Sequence, residues 1–186
     1  MAKFNIQQIY PNHETCKQII QEKIRNSDTI KLFLLIGSDF AEDAGIFKQA
    51  FQEKPAGNAK VKIMIAAPDS PFFSEKRINY VKNDKGDSRR RILSLLNAVE
   101  KHLDDFKKQM RRKGIAVDWR KHKETFLCKF HLFDDCVIFC FNIVTSDNDA
   151  ISPYVIVQKD KNSIYHAFDM YFDFVWSRSD KPRRPN

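Results

Sequence analysis

Two continuous apolar runs, IKLFLLIG at 30–37 and VKIMIAAP at 61–68, mark the first half of the chain. Runs of this length ended by glycine or proline predict strands buried on both faces of a sheet. Residues 12–26, NHETCKQIIQEKIRN, instead place Cys16, Ile19, Ile20 and Ile24 on one helical face, with Asn12 or Thr15 as the cap. A second helix is expected at about 42–52, and KPAGNAK at 54–60 reads as a turn. The third helix is long, about 89–113. Its apolar positions Ile92, Leu95, Leu96, Val99, Leu103, Phe106 and Met110 keep helical spacing until Gly114 stops it.

The second half changes period. IAVDWRKH at 115–122 alternates like a half-buried strand. FLCKFHLFDD and CVIFCFNIV, the latter at 136–144, read as a hairpin turning at Asp134-Asp135. YVIVQKD at 154–160 is another strand, and a helix at about 162–177 carries Ile164, Phe168, Tyr171, Phe172, Val175 and Trp176 on one face. Early βαβ steps imply parallel pairing and the later hairpins antiparallel pairing. The expected fold is α/β, a mixed sheet sandwiched by helices. One domain over 1–177 and a basic, flexible tail over 178–186 follow from this order and from the length of 186 residues.

Charge narrows the class of partner. The formal net charge is +8. Lysine and arginine gather at Arg89, Arg90 and Arg91, at 107–113, at 120–123 and in the tail. A basic surface suits nucleic acid, nucleotides or other phosphate-bearing ligands, although such runs also serve as solvated helix faces. Four cysteines, Cys16, Cys128, Cys136 and Cys140, form no CxxC pair and lie mostly in apolar runs, which predicts free thiols and a reducing cytoplasm. His and Cys are not at metal-ligand spacing, so no metal or cofactor is expected. No apolar stretch approaches the ~20 residues that span a bilayer, so no membrane insertion is expected.

The stretch L-C-K-F-H-L-F-D-D at 127–135 puts charge into an otherwise apolar strand. It resembles the H-x-K-x(4)-D signature of the phospholipase D superfamily. Lys129 falls on the family's lysine and Asp134 on its aspartate, but Leu127 stands where the histidine belongs. Asn142 lies near a position where that family often has asparagine, without the usual Gly-Ser before it. The segment VKIMIAAPDSPFFSEKR, with Asp69 and Arg77, and the run ISPYVIVQKD followed by a helix ending F-x-x-V-W-S are similar to small bacterial members of the family. The resemblance covers roughly residues 28–178.

It implies a phospholipase D-like fold in which two motifs meet. One histidine attacks phosphorus, the other protonates the leaving oxygen, the lysines hold phosphoryl oxygens and the aspartate orients an imidazole. With one motif copy, two sites require a homodimer, and leucine can neither attack nor transfer a proton. The expectation is therefore a catalytically inactive module of bacterial regulation or defence that binds an anionic ligand, nucleic acid or a partner protein. Lys129, Asn142, Asp69 and Arg77 are the candidate ligand-binding residues, and Arg89, Arg90 and Arg91 the candidate nucleic-acid contacts. The alternative is an active phosphodiesterase or nuclease with a rearranged Lys129, His131 and Asp134 site. His131 shares a strand face with Lys129 but lies four residues from the motif's histidine position, ~13 Å along a strand, so a partner role for Asp134 or Asp135 suits it better. For Lys129 the competing reading is a side chain that lays its stem on the sheet edge and keeps its ammonium in water. Gly37, Ser38 and Asp39 read as turn and cap, His102, His122 and His166 as surface or half-buried residues.

Overall fold

The computed structural model describes residues 5–37, 40, 45–73, 88–124, 128–141 and 153–179. In chain order the elements are β1 (Ile6–Tyr10), α1 (His13–Asn26), β2 (Thr29–Phe33), α2 (Ile46–Glu53), β3 (Lys60–Ala66), a 3-10 turn (Pro71–Phe73), α3 (Ser88–Arg112), β4 (Ala116–His122), β5 (Cys128–Leu132), β6 (Cys136–Phe141), β7 (Tyr154–Gln158) and α4 (Tyr165–Arg178). The strands form one sheet in the order β1-β7-β6-β5-β2-β3-β4. β2, β3 and β4 run parallel; β5 joins β2 antiparallel, and β6, β7 and β1 continue antiparallel. The mixed sheet between helices is as the sequence predicts.

Period-two alternation along each strand separates two cores. Ile30, Leu32, Val61, Ile63, Trp119, Ile138 and Ile156 face α1, α2 and α3, whose Cys16, Ile20, Phe47, Phe51, Leu103 and Phe106 complete that layer. The opposite face offers Phe33, Met64, Phe130 and Phe139 to Phe172, Val175 and Trp176 of α4. Phe33 and Phe130 are register partners and stack with centroids 4.9 Å apart. Each buried aromatic or large aliphatic side chain contributes about 1.5–3 kcal/mol. Lys31 fastens α4 to the sheet through Asp169 (2.6 Å) and Asp173 (2.9 Å).

Helix ends are closed by specific groups, as buried termini require. Asn12 caps α1 by accepting the Thr15 N–H at 3.0 Å. The C-terminus of α1 receives the ammonium of Lys54, which donates to the carbonyls of Ile24, Arg25 and Ser27. Lys113 does the same for Phe51 and Gln52 at the end of α2. α3 ends at Gly114, whose φ of 77° lets Ile115 N–H reach Met110 O and Gly114 N–H reach Arg111 O. A Cβ there would lie 3.2 Å from Gly57 O.

Three boundaries differ from the sequence reading. β1 is an additional strand, a short edge ribbon with mostly exposed side chains, held by backbone pairing to β7 and not by burial. β2 ends at Phe33, four residues before Gly37, because the chain leaves the regular ladder at Leu34. α4 reaches Arg178, whose guanidinium lies 4.0 Å from the Phe174 ring centroid, so that residue is helical; 180–186 lie outside the described residues.

Candidate functional site

The C-terminal ends of the parallel strands form one edge of the sheet, and β5, entering antiparallel, begins at that edge. Lys129 is the second residue of β5 and is half-buried. It stands in one row with Cys140 of β6 and Tyr154 of β7, on the face covered by α1. Its ammonium reaches across Cys140 and lies 5.0 Å from the Tyr154 ring centroid. Tyr154 is 1% exposed. His13, the first residue of α1, packs on the same ring in a tilted arrangement, with centroids 5.5 Å apart. Among the described residues no carboxylate pairs with Lys129.

His131 follows Lys129 on the same face, one row deeper, opposite Ile138. It is 2% exposed, meets Phe47 edge-on at 5.2 Å, and neither ring nitrogen has a hydrogen-bond partner among the described residues. Burial, then the charge of Lys129 and then that of His13, hold its pKa well below the usual imidazole range. The expected partnership of His131 with Asp134 or Asp135 is not formed, because its ring points into the aromatic core. Asp134 lies past the far end of β5, beyond three strand residues and the start of the turn, and accepts the N–H groups of Asp28 (2.6 Å) and Thr29 (2.9 Å). Asp135 binds Lys23. The structure therefore brings Lys129 and His131 onto one face and leaves Asp134 at the opposite edge.

Asp69, after β3, is bound by Lys123 at 2.6 Å, and that contact holds its carboxyl below the usual range. The Ser70 carbonyl opens the 3-10 turn by accepting the Phe73 N–H at 2.9 Å. Arg77, Ser38, Asp39, Leu127 and Asn142 lie outside the described residues. Arg89, Arg90 and Arg91 fall in the first turn of α3, which contains no acidic residue. The four thiols are free, and burial raises the pKa of Cys16, Cys128 and Cys136 to about 12, which keeps them protonated and unreactive. Among the described residues no group of three or more His, Cys, Asp or Glu is arranged to hold a metal ion.

Two histidines correct the sequence reading. His122 is buried at 1% exposure, stacked on Phe33 at 4.4 Å, and burial lowers its pKa to about 4. His13 was no site candidate in the sequence, because nothing in the linear order links residue 13 to residues 129 and 154. Tyr154 likewise reads only as the first residue of an apolar strand.

No protein-family model matches the sequence, and no curated protein is similar to it. Solved structures are similar. TrmBL2, an archaeal chromatin protein whose structure shows a novel mode of DNA binding, superimposes with a TM-score of 0.56 at 12% identity, over 94% of this chain and 53% of that one. This chain thus spans about half of that protein's length. Nuc from Salmonella typhimurium, a phospholipase D family member, gives a TM-score of 0.50 at 14% identity, over 95% of this chain and 97% of that one. The chain has the phospholipase D-like fold.

Proposed function

We propose that this phospholipase D-like chain is a catalytically inactive module that binds nucleic acid through its phosphates. The observation that carries the first half is the treatment of imidazole along β5. Leucine occupies the motif's histidine position at 127, and the histidine that does lie on this strand, His131, is sealed in the core at 2% exposure. A nucleophile must meet phosphorus at contact distance, and a ring closed off by Phe47 does not. The separation of Lys129 from Asp134 argues in the same direction against a rearranged site built on Lys129, His131 and Asp134.

The second half is supported by the net charge of +8, by a half-buried ammonium with no carboxylate beside it among the described residues, and by the DNA-binding chromatin protein among the structures of the same fold. Arg89, Arg90 and Arg91, in the first turn of α3, are the further candidate contacts. Affinity for a short DNA or RNA duplex, measured across salt concentrations, should give a straight fall of log K with log salt. Absence of binding at low salt would end the nucleic-acid reading. Incubation of the purified protein with a chromogenic phosphodiester in the presence of chelator should give no product; turnover lost on His131→Ala would end the inactive reading.

A further inference from the structure

Lys129 and His13 come from elements more than a hundred residues apart, yet both rest against the Tyr154 ring. His13 opens α1 and meets Tyr154, the last member of the row Lys129, Cys140, Tyr154. The ring contacts are 5.0 Å for the ammonium and 5.5 Å for the imidazole. Both groups also act on one common neighbour: the buried His131 feels the charge of Lys129 and of His13. An ammonium and an imidazole on one ring, with no carboxylate on Lys129 among the described residues, gather hydrogen-bond donors at the N-terminal end of α1.

We infer that His13 and Lys129, braced on Tyr154, form a two-point seat for a tetrahedral phosphate group. The inference rests on the proposed phosphate-binding role and deepens it, by assigning the second contact to a residue outside the motif-like strand. Lys129 supplies ammonium donors and His13 a ring N–H, so that two oxygens of one phosphate are held at once. The side chain at 127 has no part in this seat. The tertiary fold thus brings an imidazole from helix α1, and not from β5, to the ring that the lysine contacts.

The test follows the imidazole resonances of the full chain by NMR during titration with sulfate, a tetrahedral dianion whose charge is constant near neutral pH. In the wild type the His13 ring signals should shift and saturate. Lys129→Met and His13→Asn should each weaken sulfate binding about tenfold, with the amide spectrum otherwise retained. A His13 ring that does not move in the folded wild type, or a shift unchanged by Lys129→Met, overturns the inference. Inorganic phosphate and a short single-stranded oligonucleotide are then compared as probes. An oligonucleotide that moves His13 at lower concentration than inorganic phosphate supports both readings. A response to inorganic phosphate and sulfate alone keeps the seat and defeats the nucleic-acid proposal, so the two can fail separately.

Discussion

Asp134 holds Thr29: its carboxylate accepts the Thr29 N–H at 2.9 Å, and its second oxygen takes the Asp28 N–H at 2.6 Å. The contact ties the β5–β6 turn to the start of β2, the strand that β5 pairs with. Two strands 99 positions apart in sequence thereby acquire a fixed register at their shared end. The aspartate that the motif resemblance marks for chemistry is thus a structural clasp in this chain.

Asp134→Ala should therefore cost stability and leave anion binding alone. Two hydrogen bonds to a charged acceptor at an exposed turn amount to about 1–3 kcal/mol. Urea denaturation followed by circular dichroism reads the loss, and sulfate affinity should match wild type. A drop in affinity with unchanged stability would return Asp134 to the site.

His131 predicts the opposite sign. Two ring nitrogens without partners among the described residues, in a core of Phe47 and Ile138, are an unrecovered desolvation cost. His131→Leu should raise stability by about 1–2 kcal/mol, visible as a higher Tm. Destabilisation by that substitution would mean that the ring has a polar partner.

Lys54 is a buried cation that does structural work at 4% exposure. Its ammonium satisfies the last carbonyls of α1, at 3.0 Å from Ile24 O, 3.0 Å from Arg25 O and 2.7 Å from Ser27 O. Lys54→Met leaves those acceptors unmet and should cost about 1–3 kcal/mol at neutral pH. Burial lowers the Lys54 pKa from 10.5. The unfolded chain then binds the proton more tightly than the folded one, so the lysine's contribution rises as pH climbs toward 10.5. Denaturation curves of wild type and variant at several alkaline pH values should diverge; parallel curves would remove the linkage.

His122 sets an acid limit. Its folded pKa of about 4 lies below the ordinary 6.5. The unfolded chain takes up the proton first, so stability is intact above 6.5 and declines as pH falls toward about 4. The full effect is bounded at roughly 3 kcal/mol. His122→Phe, which keeps a ring on Phe33, should flatten the decline between those limits, as thermal unfolding at stepped pH would reveal. An unchanged slope would assign the acid sensitivity elsewhere.

The alternation of apolar and polar positions was enough to locate most strands and helices, because core burial imposes period two or 3.6 on the residues themselves. Ile30, Val61 and Val117 announce strands, and Leu96, Val99 and Leu103 announce α3, before any neighbour is known. Gly114 marks its own turn, since a left-handed φ of 77° is a local demand. β1 escaped because an edge strand held by backbone pairing to β7 leaves little trace in its side chains. The mixed sheet, too, follows from element order, through the short hairpins and long crossovers that order dictates.

What the linear order does not contain is distance. Lys129 and Asp134 are five positions apart and sit at opposite ends of β5, while His13 and Tyr154 are 141 positions apart and touch with ring centroids at 5.5 Å. The same holds for Lys54 under the end of α1 and for His122 on Phe33. Whether a polar residue is a site, a clasp or a sealed core group depends on which side chains the sheet register and helix docking set beside it. Those are long-range consequences of packing, decided only when the chain closes.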